Sequence, residues 1–407
     1  MNMSNVGGRG RERASRVAAW ALVMLAACVL NACGGGGSGD GAAQDAELSA
    51  VAALGQKIFS DPGLSASGGQ SCASCHDPAH AHAQSNAVSV QLGGPNLDIP
   101  GFRAVPSLRY LSFNPVFSFD SEGAPVGGFD RDGRAQSLAE QAQRPFLAPH
   151  EMANASKADM VSRLRLASYA DEFRKVFGGA IFDNPDDAFD RATFALQRYQ
   201  IEASEFHPFD SKYDLFLAGK VQLSAAELRG LALFNSPAKG NCAACHTSAR
   251  GADGSPPLFT DFSFDNLGVP RNTAIPATSV ASYFDLGLCG PDRTDLADRS
   301  DLCGAFKVPT LRNVATRKVF FHNGRFSTLR DALRFYVRRD TNPEEWYPTV
   351  GGVVQKFDDL PQQYRANVNT SEAPYNRMPG MAPALSEDEI DDVIQFLGTL
   401  NDGYKIQ

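Results

Sequence analysis

Tryptophan is nearly absent from this sequence, and positive charge is scarce beside negative charge. The 407 residues include only Trp20 and Trp346 as tryptophans, and 38 Lys and Arg stand against 46 Asp and Glu, a formal net charge of −8. Such a chain lacks the basic surface that grips nucleic acid phosphates, so nucleic acid is excluded as a partner and acidic substrates are disfavoured. Hydrophobic content of 43% and charged content of 21% exclude disorder over most of the length.

A hydrophobic run long enough to span a membrane is also missing near the N-terminus. The apolar stretch from Val17 to Leu30 follows several arginines and is shorter than the roughly 20 residues that a spanning helix needs. It leads into Leu30-Asn31-Ala32-Cys33, which resembles a bacterial lipobox. We therefore predict a lipoprotein signal peptide at 1–32, a flexible Gly-rich tether at 33–46, and a periplasmic protein anchored to the outer membrane only through a lipid on Cys33. Ordinary secretion with cleavage nearby is the alternative.

Eight cysteines are present, and export places them in an oxidising compartment. Cys289 and Cys303 flank a short loop rich in turn-forming and charged residues. This pattern predicts a structural disulfide, with free thiols or metal ligands as the alternatives.

The two halves of the chain repeat one pattern. Leu48-Ser49, Gly55 and Ile58-Phe59 recur at one constant offset as Leu223-Ser224, Gly230 and Leu233-Phe234. Each set then leads through a loop into a C-x-x-C-H string. A repeat of this length predicts two related domains, at 47–220 and 221–407, with one string in each.

The remaining periodicity is helical. Ser224-x-x-Glu227 and Ser386-x-x-Glu389 have the form of capping boxes, and apolar residues after Ser156 predict a further helix (Met160, Val161, Leu164, Leu166 and Phe173). Stretches rich in Pro, Gly and Asp at 254–300 and 341–385 have no strand alternation and predict surface loops. The fold class is therefore mainly α with long loops.

The C-x-x-C-H strings are the attachment sequence of c-type haem. In Cys72-Ala73-Ser74-Cys75-His76 and in Cys242-Ala243-Ala244-Cys245-His246, the two thiols form thioethers with the haem and the histidine ligates the iron. A zinc site made of both cysteine pairs is the rival interpretation. The directly following histidines, the long separation of the pairs and export all oppose zinc. We predict two covalently bound c-type haems, with His76 and His246 as axial ligands.

Whether the protein is a catalyst depends on a free sixth position on one iron. His80 and His82 follow His76 too closely to reach the other face of the haem, and nothing else between His82 and His150 ligates as His or Met. The first haem is therefore predicted to be open.

Several segments resemble the bacterial di-haem cytochrome c peroxidase family, including its MauG branch, over about residues 48–402. Beside the haem strings, the matching segments are Asp132-Gly133-Arg134-Ala135, Leu138-Ala139-Glu140-Gln141-Ala142, Pro145, Glu151-Met152, Pro208-Phe209-Asp210 with Tyr213, the run from Phe306 to Val314, and Phe321-His322-Asn323-Gly324. The resemblance implies a di-haem peroxidase fold with a peroxidatic haem in the N-terminal domain and an electron-transfer haem in the C-terminal domain.

The resemblance also implies a catalytic pocket over the first haem made of Gln141, Pro145 and Glu151. Splitting the O–O bond of a peroxide requires a proton to move from the inner to the outer oxygen, which suits a carboxylate that acts first as base and then as acid. Glu151 has that chemistry, and His150 is interpreted as a neighbour.

Two interpretations remain for the second ligand of the second haem. A small cytochrome often takes an axial Met from a loop near its C-terminus, which points to Met378 or Met381. The resemblance instead places the ligand at Tyr336, where ordinary peroxidases carry Met and MauG carries Tyr. A phenolate stabilises oxidised iron, so the choice affects whether the resting enzyme needs reduction first.

The sequence departs from the family in three places. The tryptophan between the haems corresponds to Arg131, and the surface tryptophan that MauG uses corresponds to Gly240. The side-chain ligand of a bridging calcium ion falls on Ala104, which argues against the ion, although carbonyl positions at Arg317 and Val319 persist.

Three functions follow as expectations. The first is a peroxidase that reduces H2O2 to water with electrons from a small c-type cytochrome or cupredoxin. The second is a MauG-like oxidase that modifies Trp or Tyr of a protein substrate. The third is a non-enzymatic di-haem electron carrier or sensor.

Overall fold

Helices make up most of the regular structure in residues 47–406, which are the residues that the computed structural model describes. The predicted signal peptide, the tether and Cys33 lie outside them. The helices are α1 (Ala50–Ser60), α2 (Cys72–Cys75), α3 (Leu138–Leu147), α4 (Lys157–Leu164), α5 (Ala170–Phe177), α6 (Pro185–Glu202), α7 (Lys212–Leu217), α8 (Ala225–Asn235), α9 (Leu329–Arg338) and α10 (Glu387–Gly398). The mainly α prediction is confirmed. Within 47–406, no helix combines the length and apolar character needed to cross a membrane.

The strands are two residues long and pair as four small antiparallel ladders. They are β1 (Leu92–Gly93) with β2 (Ile99–Pro100), β3 (Ser118–Phe119) with β4 (Pro125–Val126), β5 (Phe264–Asp265) with β6 (Phe306–Lys307), and β7 (Thr349–Val350) with β8 (Val353–Val354). Ladders this short contribute little stability alone, so side-chain packing holds the long connections in place.

The repeated glycines mark one helix contact that occurs in both halves. A Cβ on Gly55 of α1 would lie 2.0 Å from the Ala195 carbonyl oxygen of α6, and a Cβ on Gly230 of α8 would lie 2.0 Å from the Asp392 oxygen of α10. Each helix pair therefore approaches backbone to backbone, at a distance that only glycine permits. The sequence repeat corresponds to a structural repeat.

Two large hydrophobic cores accompany these helix pairs. One is built from residues between Leu54 and Phe206, and the other from residues between Tyr213 and Leu400. Residues 47–406 fall within one compact unit by their contacts. The division into domains near residue 220 stays a prediction.

Two predicted helix starts are confirmed, and one predicted helix differs in the structure. Capping boxes form at Ser224 and at Ser386, as predicted. The helix predicted after Ser156 is two helices, because the chain turns between α4 and α5. Leu166 lies in that turn with 87% of its surface exposed, so its assignment to a helix was wrong.

The segment 254–300 is not a plain surface loop. The predicted disulfide between Cys289 and Cys303 is present. Arg293 lies inside the disulfide-closed loop and Asp285 just before it, and both side chains are buried. The Arg293 Nη1 donates to the Asp132 carbonyl at 2.9 Å. Charged residues enter the interior here because each finds a partner there, which composition alone does not reveal.

Buried ion pairs tie this segment to the first half of the chain. The Arg103 guanidinium donates to Asp285 from Nε at 2.6 Å and to Asp132 from Nη1 at 2.8 Å. A buried arginine with two carboxylate partners is strongly held, since losing either partner leaves a charge uncompensated. The segment 254–300 is therefore fixed relative to the first half of the chain.

The glycine contacts give a stability test. Gly55→Ala and Gly230→Ala should each lower the free energy of unfolding by about 1–3 kcal/mol, because the added methyl group overpacks a backbone contact. Gly398→Ala in α10 is the matched control, since a Cβ there meets nothing within 4 Å. Urea denaturation followed by circular dichroism measures all three. Unchanged stability in Gly55→Ala and Gly230→Ala would contradict the contact.

Candidate functional site

The first C-x-x-C-H string lines a cavity of about 190 Å³. Cys72 and Cys75 bound the one-turn helix α2, and His76 follows at its end. The His76 Nδ1 lies 3.0 Å from the Pro106 carbonyl oxygen, and because a carbonyl only accepts, Nδ1 carries the proton. Burial lowers the pKa of His76 to about 4. The neutral ring keeps Nε2 free to ligate a metal.

The second string repeats this arrangement in a cavity of about 230 Å³. Cys242, Cys245 and His246 line it together, and the His246 Nδ1 donates to the Phe259 carbonyl oxygen at 2.8 Å. Burial lowers the pKa of His246 as well. Two thiols and one neutral imidazole with a free Nε2 in each cavity fit a c-type haem.

The two cysteine pairs line different cavities, so they do not form the single tetrahedral site of the zinc interpretation. Neither His80 nor His82 lines the first cavity. The His80 Nδ1 bonds Asp77 at 2.9 Å, and the buried His82 ring packs against Phe206.

Gln141, Pro145 and Glu151 all line the first cavity together with His76. Gln141 and Pro145 lie on α3, and the Gln141 Nε2 is 3.3 Å from Asp130 Oδ1. Pro145 falls inside the helix, near its C-terminal end. The structure therefore brings the three predicted pocket residues into one place.

Backbone contacts fix the turn that carries Glu151. The Glu151 N–H donates to the Ala148 carbonyl at 3.0 Å, and the Gly94 N–H donates to the Glu151 carbonyl at 2.8 Å. A Cβ on Gly93 would lie 2.4 Å from the His150 oxygen, so strand β1 approaches this turn more closely than any side chain allows. This geometry holds the carboxyl group at the cavity wall.

The charges around Glu151 nearly balance. Burial raises the pKa of Glu151 to about 7, Arg144 and Arg134 act to lower it, and Asp130 and Asp292 act to raise it. A carboxyl group with a pKa near neutrality can take up and release a proton at physiological pH. That property suits general acid–base chemistry.

Asp292 is the pocket residue that sequence reasoning missed. It comes from the disulfide-closed loop in the second half of the chain, yet it lines the first cavity and its Oδ1 lies 2.7 Å from Arg144 Nη2. Its Oδ2 is 3.5 Å from Arg134 Nη1. No local motif marks this aspartate, because only the tertiary fold brings it to the cavity.

Tyr336 of α9 lines the second cavity, whereas Met378 and Met381 do not. The Tyr336 ring packs 5.6 Å from the Phe321 ring and 6.1 Å from the Tyr375 ring, between ring centroids. Burial raises the pKa of Tyr336 above its ordinary value. Met378 and Met381 are 67% and 50% exposed.

The position of the expected calcium ligand does not fit that ion. The Ala104 side chain offers no oxygen, and its carbonyl accepts bonds from the Arg131 guanidinium at 3.1 and 2.9 Å. Arg317 also lies in the adjoining wall. No group of three or more His, Cys, Asp or Glu suited to a metal occurs among residues 47–406. Cationic side chains occupy the region where a calcium ion would need anionic oxygen ligands.

Comparison with known proteins gives concordant matches. Residues 49–222 match the family described as di-haem cytochrome c peroxidase. The chain is 36% identical over 369 residues to the methylamine utilization protein MauG of Paracoccus denitrificans, covering 87% of this chain and 89% of that one. It is 30% identical over 306 residues to the cytochrome c551 peroxidase of Nitrosomonas europaea, covering 72% and 76%.

A solved structure agrees with the sequence matches. The fold superimposes on the diheme peroxidase BthA of Burkholderia thailandensis with a TM-score of 0.81 and 39% sequence identity, over 89% of this chain and 88% of that one.

Removing the Asp292 charge should lower the pKa of Glu151 below its value of about 7. Asp292→Asn takes away a like charge and leaves Arg144 without its carboxylate, and both changes favour the ionised Glu151. Infrared titration of the carboxyl band, with Glu151→Gln subtracted, measures the change. Asp295→Asn alters the same loop at an exposed carboxylate paired with Arg293, and it should leave Glu151 unchanged. Equal effects of the two substitutions would contradict the assignment.

Proposed function

The chain belongs to the di-haem cytochrome c peroxidase family, and we propose that it reduces hydrogen peroxide to water with electrons from a small c-type cytochrome or cupredoxin. One H2O2, two electrons and two protons give two waters. The observation that carries this proposal is Glu151, a carboxyl group with a pKa of about 7 in the same cavity as His76.

Two c-type haems are the implied cofactors, and when bound they supply the iron redox chemistry. Cys72 and Cys75 would hold the first haem through thioethers, and Cys242 and Cys245 the second. The hydrogen bonds from Nδ1 of His76 and His246 orient both rings for ligation and make their Nε2 atoms better donors.

Glu151 performs the proton transfer in this proposal. Its carboxylate accepts the proton of the inner peroxide oxygen and returns it to the outer oxygen, which leaves as water. The Gln141 amide and the Pro145 ring line the same cavity and restrict how peroxide and water fit beside the carboxylate. Asp292 keeps Arg144 paired, so that Glu151 is not permanently ionised.

The first cavity must also leave one iron position open. His150 and Met152 line its wall on either side of Glu151. The His150 ring packs edge-on against Phe102, with 4.7 Å between ring centroids, and Met152 belongs to the core of the first half. These packing contacts support a role for both residues in the wall of the pocket.

Tyr336 is the proposed second axial ligand of the haem in the second cavity, with Met378 as the alternative. The place of Tyr336 in the cavity wall and the exposure of Met378 support this order. A phenolate would stabilise the ferric state, so the resting enzyme would need no prior reduction.

The proposed architecture is a peroxidatic domain at 47–220 and an electron-transfer domain at 221–407, each cytochrome c-like. The repeated helix contact and the two hydrophobic cores support it. The proposed location is the periplasm, with a lipid anchor at Cys33. The disulfide between Cys289 and Cys303 supports an oxidising compartment.

A MauG-like oxidase that modifies Trp or Tyr of a protein partner is the second candidate. The identity to MauG and the position of Tyr336 favour it. Gly240, at the position of the surface tryptophan of MauG, offers no aromatic relay to a partner protein. Trp346, the one tryptophan among residues 47–406, packs on Phe326 and Phe335 and lines neither cavity.

A non-enzymatic electron carrier or sensor is the third candidate. Steady-state peroxide turnover with reduced cytochrome c distinguishes it from the peroxidase. A carrier passes electrons without reducing peroxide to water, so it shows no turnover. Turnover in this assay supports the first candidate, and a reaction with peroxide without cytochrome oxidation supports the second.

Glu151→Gln should slow the reaction with peroxide by about 10²–10⁴-fold while both haems stay attached. The rate in the unsubstituted protein should rise with pH and level off above about pH 7, because the carboxylate form accepts the proton. The variant should lose that rise. Stopped-flow absorbance of the haem measures the rate between pH 5 and pH 9.

Glu172→Gln provides the matched control for this measurement. It makes the same chemical change at an exposed carboxylate that pairs with Lys57 on the surface, and it should react at the normal rate. A normal rate in Glu151→Gln would show that Glu151 is not the acid–base group.

Tyr336→Met should raise the midpoint potential of the second haem, because a thioether stabilises ferrous iron relative to a phenolate. Met378→Leu should leave the absorption spectrum unaltered. Spectroelectrochemical titration measures the potential. A spectrum changed by Met378→Leu or Met381→Leu but not by Tyr336→Phe would show that a methionine is the ligand.

A further inference from the structure

Two arginine side chains lie between the haem cavities. Arg131 and Pro106 line both cavities, and Arg317 lines the second. The charge of Arg317 also acts to lower the pKa of His76 in the first cavity, so its field extends to both sites. Any group bound between the two cavities would meet these guanidinium groups.

Neither guanidinium has a carboxylate partner within residues 47–406. Arg131 uses Nε and Nη2 for the same acceptor, the Ala104 carbonyl, and its remaining N–H groups make no other bond there. The Arg317 side chain makes no hydrogen bond or ion pair to the described residues. Arg103 beside them differs, since it pairs with both Asp285 and Asp132.

A cation without a carboxylate partner is costly in the interior of a protein, and Arg131 and Arg317 are both partly buried. Burial lowers the pKa of Arg131 to about 9 and that of Arg317 to about 10. The neighbouring positive charges of Arg317 and Arg103 act on Arg131 in the same direction. An anion bound here would neutralise the two neighbouring positive charges. The planar N–H edges of a guanidinium group match the two oxygens of a carboxylate.

We propose that Arg131 and Arg317 form a carboxylate-binding site for the haem propionates, and that Arg131 is shared by the haems of both cavities. This inference rests on the covalent attachment of two haems under the proposed function. Each haem carries two propionates, and a thioether-bound haem keeps them at a fixed place relative to the wall. Arg131 thereby sets the potentials of both irons, and it supplies the positive charge in the region where calcium does not fit.

Measuring both midpoint potentials in arginine variants tests the proposal. Arg131→Gln removes a positive charge, which favours the ferric form, so both potentials should fall. Arg317→Gln should also lower them, and Arg131→Lys, which keeps the charge, should shift them less. Arg191→Gln, an exposed arginine paired with Asp187, is the control with the same charge change and should have no effect.

A fall in only one potential after Arg131→Gln would overturn the shared role, and a fall no larger than in Arg191→Gln would overturn the site. If Arg131→Gln does not fold, resonance Raman of the propionate bending bands in Arg131→Lys decides. A shift of bands from both haems supports the proposal, and unshifted bands overturn it.

A small anion from solution could occupy the site in place of the propionates, and an anion titration distinguishes the two. Potentials of the unsubstituted protein should not respond to acetate or chloride at constant ionic strength. A dependence on anion identity that Arg131→Gln abolishes would show that a free anion occupies the site. A pyridine haemochrome count on each sample tests haem attachment separately. A missing haem is therefore distinguished from a failure of the arginine proposal.

Discussion

Each motif histidine is held by hydrogen bonding of its Nδ1 to backbone carbonyls, and both cavities are organised around that interaction. The carbonyls of Pro106, at 3.0 Å, and His82, at 3.3 Å, accept from His76, and the Phe259 carbonyl accepts from His246 at 2.8 Å. This hydrogen bonding selects the tautomer with the proton on Nδ1 and leaves Nε2 unprotonated, able to ligate a metal. Because the cysteines precede each histidine on one short turn, the thiols and the imidazole share a cavity, and every proposed role of the wall residues follows from that arrangement.

The first cavity is electrostatically complete only with residues from the second half of the chain. Asp292 pairs with Arg144, and Arg103 joins Asp132 to Asp285 across the two halves. The Arg103 pairs are largely buried, and their close, multiple contacts offset the cost of desolvation, whereas the Arg144–Asp292 pair is partly exposed. These pairs also place a carboxylate beside Glu151, which together with burial keeps its proton exchangeable near neutral pH. A domain cut near residue 220 would remove part of this environment.

The sequence predicted what local patterns determine. The C-x-x-C-H strings, the capping boxes at Ser224 and Ser386, the repeated glycines and the helical class all depend on residues close together in the chain. The position of Tyr336 came from the family resemblance, since a lone tyrosine in an amphipathic helix has no signal of its own. Asp292 and the unpaired Arg317 were not predictable, because long-range folding alone gives them their neighbours. Leu166 was misassigned to a helix because an apolar residue in a helix-to-helix turn can preserve the helical period of the sequence.

The central claim is that two covalent haems occupy the two cavities and differ in their sixth ligand. The measurement that tests it most directly is resting-state electron paramagnetic resonance on protein matured with its cytochrome c assembly machinery, with the haem count taken on the same sample. The account predicts two haems per chain, with a high-spin ferric signal from the first and a low-spin ferric signal from the second. A count of one or zero, or two low-spin signals with no high-spin component, would contradict it.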